Sequence, residues 1–284
     1  MRAWVVLLVC GCNRIFGLAD VTERHVDAQY FDSPLDAAPT CPSGTAPVFR
    51  HVIHQVDAQN CSGYTPSEVG IAVAICNGVL AEGPTGGSLQ PASIQPPFPV
   101  TDVLDLARIS PEGDFALVLV FKGSGVDTVD LRAMNRDLAT DTWTVLGSIT
   151  IPTTQNYTIS AMSRGPQRHA IFMLGNTQGA YEAHEYVGSG TTWTDEHTYT
   201  ASDLGSTTIF GSPAVTPDGL HMIVNGDAQG QEAMYFYARP DVTSLFSTRT
   251  LIDSVPSELT NPYLTEDCGT LYLDALDTVL YYQQ

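Results

Sequence analysis

"SPAVTPDGLHMIVNGD", residues 212–227, places a Thr216-Pro217-Asp218-Gly219 turn directly before a mostly apolar run and closes on Gly226-Asp227. Each turn residue has a physical job. Proline presets φ, glycine accepts the positive φ that other residues resist, and the aspartate can take backbone N–H groups. The same order recurs. "ARISPEGDFALVLV" begins at Ala107, "SAMSRGPQRHAIFML" at Ser160 and "NPYLTEDCGTLYLD" at Asn261. Ser110, Ser163, Thr216 and Thr265 occupy equivalent turn positions, 53, 53 and 49 residues apart. Each leads into a run that reads as a buried strand.

The repetition extends further along each unit. A glycine-containing or otherwise polar turn and a second strand follow, in "GSGVDTVDLRAM", "NTQGAYEAHEYV", "GDAQGQEAMYFYARPD" and "LDALDTVLYYQQ". Three units add a third segment, "DTWTVLGSIT", "TTWTDEHTYTA" and "TSLFSTRTLID", with Trp143, Trp193 and Phe246 in matching places as blade-packing residues. Several strands per unit at a period of about 50 residues predict an all-β chain folded as a β-propeller. A β-sandwich would share the strand density but has no reason to repeat turn, strand and tryptophan together. A less regular fifth unit is expected at "GYTPSEVGIAVAICNG", residues 63–78, with Thr65-Pro66 in the turn position. The count is therefore five blades, with four and six as the neighbouring counts. The chain ends after two strands of its last unit, and an open edge invites aggregation. A segment between about 45 and 60, "APVFRHVIHQV", is expected to pair into that blade and close the ring.

The units resemble the WD40-like PD40 repeat of the TolB propeller family. That repeat carries an S-P-D-G turn, an apolar strand, a short polar turn and an aromatic-rich strand. Thr216-Pro217-Asp218-Gly219 is close to it and Ser110-Pro111-Glu112-Gly113 is near. Thr265-Glu266-Asp267-Cys268-Gly269 reads as stretched by one residue, and Ser163-Arg164-Gly165-Pro166 lacks the acid. The resemblance covers roughly residues 100–284 and implies that Asp218 is structural, holding its turn through backbone amides. The N-terminal domain of TolB has no counterpart, so that family's partners do not carry over.

Upstream, "MRAWVVLLVCGC" has one cation, Arg2, and an apolar run from Ala3 to Val9. The run is too short to span a bilayer as a helix but suits an export signal. Val9-Cys10-Gly11-Cys12 resembles the lipobox of bacterial lipoproteins. The resemblance implies a signal peptide over 1–11, lipidation of Cys12, and attachment to the membrane through that lipid alone, in the cell envelope. Residues 12–45 read as an acidic, proline-containing tether, and 46–284 as the propeller domain. Cys41, Cys61, Cys76 and Cys268 remain, an even number that reads as disulfides in an exported chain, with three pairings open. Cys61–Cys76 would close a short loop, and Cys41–Cys268 would tie the N-terminal region to the last strands.

Charge narrows the function. The chain has 12 Lys and Arg against 31 Asp and Glu, a net charge of −19, with Lys122 its single lysine. Binding nucleic acid through a general cationic surface is excluded. Nucleotide-binding and nucleophile-elbow motifs are absent from the sequence, and no cofactor, metal site or catalytic set is assigned. His51 and His54 have the wrong strand spacing for a metal pair, and His169, His184, His197 and His221 are scattered over blades. Asp227 with Glu232, and Asp127 with Asp130, read as solvated turn acids. The expectation is a monomeric, non-catalytic binding or scaffold module for an envelope protein partner. The alternative is a glycan-binding or glycan-hydrolysing propeller, which requires carboxylates such as Asp102, Asp105, Asp203 and Glu258 to converge at the central funnel.

Overall fold

The structure is a computed structural model that describes residues 41, 46–49, 51–57, 60–122, 129–149, 155–175, 181–206, 208–228, 231–255, 260–275 and 278–283. Cys12, the signal segment and the tether up to residue 40 lie outside the described residues. The described residues form 21 strands and no helix, in five sheets that are antiparallel apart from one added parallel strand. The protein is a five-bladed β-propeller.

The first strand in the chain, β1 (His51–Asp57), belongs to the last blade. Blade one holds β2 (Cys61–Pro66), β3 (Ile71–Cys76), β4 (Val79–Pro84) and β5 (Gln90–Pro91). Next, β6 (Ser93–Gln95) runs parallel to β10 and adds a fifth strand to blade two, outside β7 (Asp102–Ile109), β8 (Phe115–Lys122), β9 (Val129–Asp137) and β10 (Thr142–Ile149). Blade three is β11 (Gln155–Met162), β12 (Arg168–Gly175), β13 (Tyr181–Ser189) and β14 (Thr192–Tyr199). Blade four is β15 (Thr208–Val215), β16 (His221–Ala228), β17 (Gln231–Ala238) and β18 (Thr248–Ile252). Blade five contains β19 (Thr260–Leu264), β20 (Thr270–Ala275) and β21 (Thr278–Gln283), and β1 pairs antiparallel to β21. The closing segment is thus the expected one. Strands β2, β7, β11, β15 and β19 contact one another in sequence and surround the axis.

The core is divided as the ring is. Five apolar clusters each fill one junction between neighbouring blades. The junction of blades five and one, built on Tyr64, Ala72, Ala74, Tyr263 and Tyr272, closes the circle. Strand residues buried on both sheet faces explain the continuous apolar runs in the sequence, since an inner strand packs against both adjacent blades. Trp143 is fully buried between blades one and two, with Nε1 donating to Glu82 at 3.0 Å. Trp193 packs on Phe115 and Phe172. Phe246 is buried just ahead of β18, beneath the Arg239 guanidinium, 4.2 Å from the ring centre.

The repeated turns share one hydrogen-bonding device. In blade four the Thr216 hydroxyl accepts from His221 N–H at 3.0 Å and donates to Asp218, which also accepts from Leu220 N–H at 2.9 Å. Blade five repeats it without insertion. Thr265 donates to Asp267 at 2.6 Å and accepts from Thr270 N–H at 2.9 Å, while Cys268, at φ +56°, stands where Gly219 stands at φ +73°. The reading of that turn as stretched by one is corrected, because Cys268 takes the glycine's backbone conformation. In blade two, Ser110 accepts from Phe115 N–H at 3.2 Å and donates to Asp114, leaving Glu112 to accept from Gly165 N–H of blade three. Blade three carries the extra residue, Ser163 pairing with His169. Blade one also departs from expectation. Its turn is centred on Ser67, whose hydroxyl accepts from Ile71 N–H at 3.2 Å, whereas Thr65 and Pro66 end β2.

Candidate functional site

Propellers place function on the axis or on the rims, so the axis comes first. It is filled. Arg108, in β7, is fully buried and spends its guanidinium on three other blades. Nε donates to Ile159 O of blade three at 3.0 Å, Nη1 to the Thr65 hydroxyl of blade one at 3.0 Å, and Nη2 to Asn261 Oδ1 of blade five at 3.2 Å. Ser212 of blade four donates to the same Asn261 oxygen at 2.6 Å and receives from Thr158 of blade three. Every inner strand therefore contributes to one polar knot. Asp274 completes it, accepting from Gly63 N–H at 2.7 Å and Asn261 Nδ2 at 2.8 Å. Burial lowers the Arg108 guanidinium to about 10, against the pull of Asp274. Burial raises the Asp274 carboxyl, a rise moderated by Asn261, Gly63 and Arg108.

The mouth on the turn side is also spanned. Arg164 reaches from the blade-three turn to Glu68 of blade one and Glu266 of blade five. Backbone bonds link neighbouring turns, Glu68 N to Pro111 O and Arg164 N to Pro217 O. Chemically, these groups are committed to one another. A guanidinium with its donors occupied and a carboxylate held by two N–H donors form a brace rather than an acid–base pair awaiting substrate.

The four acids named from sequence do not assemble into a site among the described residues. Asp203 is exposed and held in its own turn by Thr200, whose N–H and hydroxyl donate at 2.8 and 2.7 Å. Asp105 lies at the irregularity of β7 where the register with β8 shifts, its side chain largely exposed but its carboxyl raised by partial burial, and its carbonyl accepts from Ser62. Asp102 lines a different feature, described below, and Glu258 lies outside the described residues. Asp130 is not a solvated turn acid. It is buried at 8% exposure and receives Lys122 at 3.0 Å, Ser148 and Arg132. Burial pushes its carboxyl up, but those donors together hold it below the ordinary value. Asp227 faces Glu232 across the β16–β17 pair, and Asp127 lies outside the described residues. The histidines are dispersed, as expected. His169 bonds Glu185 at 2.6 Å, His184 bonds Asp195 at 2.8 Å, His197 sits beside Tyr199, and His221 lies near the Cys41–Cys268 pair.

Among the described residues an open feature lies on the opposite face, between blades one and two. A cavity of about 490 Å³ is walled by Leu80, Pro91, Ala92, Ile94, Pro97, Phe98, Pro99 and Leu104, with Asp102 as its one charged lining residue. Its rim exposes Val79 (46%) and Val100 (103%), with Val103 (53%) alongside. The volume lies in the range of ligand-accepting pockets, and the wall is apolar with one polar group, the usual composition of a recognition site. Local sequence explains the wall. Pro96, Pro97 and Pro99 cannot continue a paired strand, so the link from blade one to blade two turns away from the sheet after β6.

Both cysteine pairs are brought together. Cys61 and Cys76 are bridged across the β2–β3 pair with Cα atoms 4.0 Å apart. Cys41 and Cys268 stand with Cα atoms 5.0 Å apart, inside the range a bridge needs.

No protein-family model matches the chain. No curated protein matches it either. Among solved structures, TolB from Acinetobacter baumannii superposes with a TM-score of 0.51 at 10% identity, over 80% of this chain and 55% of that one. The chain thus spans about half the length of that TolB. A putative TolB from Agrobacterium tumefaciens gives 0.49 at 14% identity, over 81% and 80%. At such identities the likeness is one of fold alone, that of a β-propeller.

Proposed function

We propose that the protein is an exported, lipid-anchored envelope component whose propeller is a non-catalytic binding module for a protein partner. The observation that carries this reading is the contrast between a sealed axis and an open apolar pocket on the rim. Arg108 fills the place where a propeller enzyme would converge its acids, while Val79, Val100 and the pocket offer apolar surface to a partner's side chain. Two cysteine pairs favour an oxidising compartment. The lipobox-like Val9-Cys10-Gly11-Cys12 supports attachment through Cys12. The net charge of −19 favours a partner with a basic margin around its apolar anchor.

The test is cross-linking in the native cell followed by affinity purification of the intact chain, alongside Cys12→Ala and Val100→Glu variants. One reproducible envelope protein, lost with Val100→Glu and depleted with Cys12→Ala, is the expected result. Equal recovery with Val100→Glu removes the pocket from the proposal. Recovery of glycan instead of protein moves the reading to the carbohydrate-binding alternative.

A further inference from the structure

We propose that, when the Cys41–Cys268 bridge is reduced, the two thiolates and the His221 imidazole form a site for a thiophilic divalent cation such as Zn²⁺. Three segments distant in sequence meet here: Cys41 ahead of the first strand, Cys268 in the blade-five turn, and His221 at the start of β16 in blade four. All three are buried, at 5%, 0% and 5% exposure. One donor atom from each lies within 4.8 Å of the other two. Zinc bonds of about 2.3 Å to sulfur and about 2.0–2.1 Å to nitrogen set donors roughly 3.5–4 Å apart, so small shifts suffice once the sulfurs separate. Three protein donors leave a fourth position for water or a ligand.

A second observation points to the same place. His221 Nδ1 and Asp218 Oδ2 are both buried and face each other at 3.8 Å, an ion-pair contact too long for a full hydrogen bond. Buried polar atoms held at such a distance, without a closer partner, are uncommon. The imidazole is held in plane against Phe236, ring centres 5.2 Å apart at 18°. A histidine that is oriented, buried and beside a carboxylate has the surroundings of a metal ligand with its supporting acid.

Bridge and metal exclude one another. A dithiol reductant transfers two electrons and two protons to the disulfide, becoming a cyclic disulfide and leaving two thiols. Each thiol then releases its proton to solvent as it binds the cation, and no electron passes to the metal. Within an oxidising compartment the site exists only before the bridge forms or after it is reduced.

The experiment takes the purified chain carrying Cys10→Ser and Cys12→Ser, oxidised or reduced with dithiothreitol that is then removed anaerobically, and titrates Co²⁺ alone. The reduced chain is expected to take up one equivalent with the visible absorption of tetrahedral thiolate coordination, and the oxidised chain none. Cys41→Ser/Cys268→Ser is expected to abolish the signal, Cys61→Ser/Cys76→Ser to leave it, and His221→Gln to weaken binding at least about tenfold. Circular dichroism follows the fold throughout. If reduction opens the chain, stoichiometric Co²⁺ is expected to restore the β spectrum. The proposal is overturned by binding to the oxidised chain, by a signal surviving loss of Cys41 and Cys268, by unchanged affinity in His221→Gln, or by a reduced chain that neither binds nor refolds.

Discussion

Several single residues in this protein join blades that are far apart in sequence. Glu185 of blade three is fully buried and accepts both Nη atoms of Arg239 from blade four at 2.9 and 2.8 Å, with His169 at 2.6 Å and Tyr199 at 3.0 Å. Burial pushes its carboxyl up, but hydrogen bonds from His169 and Arg239 and their charge bring it below its ordinary 4.5. A carboxyl depressed in the folded state binds its proton less tightly there than in the unfolded chain. Its contribution is complete above about 4.5 and is lost as pH falls through the lower folded value. Glu185→Gln is therefore expected to cost about 3–5 kcal/mol at neutral pH, because it leaves Arg239 buried without its anion. Urea unfolding at a series of pH values should show the gap to the wild-type chain narrowing below about 4.5. A constant gap would mean the loss is one of packing, not charge. None of this is legible in "YEAHEYVG", where Glu185 reads as an ordinary polar strand position.

Among the elements, β1 carries the greatest consequence for its length. Its pairing with β21 supplies the outer strand of blade five, joining the two ends of the described chain. Seven residues of strand thus stand between a closed ring and an exposed edge. A chain beginning at Ala58 is expected to form more oligomers or aggregate in size-exclusion chromatography than the intact chain, while a Cys41→Ser/Cys268→Ser chain that keeps β1 elutes as the intact chain does. Should the shortened chain remain a stable monomer, blade five would not need its fourth strand. The need for a closing strand was legible because the final unit has two strands after its turn instead of three. Strand β6 was not legible. "SIQ" is too short to carry a period, and it pairs in parallel with β10 only because the proline-rich link returns beside it.

For the whole molecule, Arg108 is the axis. It joins blade two to blades one, three and five, and Asn261 extends the connection to Ser212 of blade four and to Asp274. Arg108→Met is expected to cost about 3–5 kcal/mol, since it strands polar groups from several blades and removes the cation that moderates Asp274. At a chain of this size each kcal/mol corresponds to roughly 2–4 °C in Tm, so the loss should be plain by calorimetry. Adding Asp274→Asn should return part of it, because the remaining group no longer buries a charge. A double variant less stable than the single one would show that Asp274 matters through its hydrogen bonds to Gly63 and Asn261 instead. In "DVLDLARIS" Arg108 is one of three charged residues, with Asp102 and Asp105, and nothing local marks it as the axial one or names its partners.

What the amino-acid order determines by itself is whatever repeats within reach of a turn. Ser110, Ser163, Thr216 and Thr265 mark strand entries because a hydroxyl accepts a backbone N–H five or six residues on, across a turn with a residue at positive φ. An acid helps in every case but Ser163. The blade length and the strand order within a blade follow from that period, while the count of five, with four and six as neighbouring counts, rests on the less regular unit at 63–78. What tertiary structure alone decides is whatever meets across the ring. The sealing of the axis by Arg108, the Glu185–Arg239 pair, the pocket beside Val100 and the meeting of Cys41, Cys268 and His221 join residues tens to hundreds of positions apart. Their partners are chosen by ring closure, and a period of about 50 residues carries no record of which side chains will face one another across it.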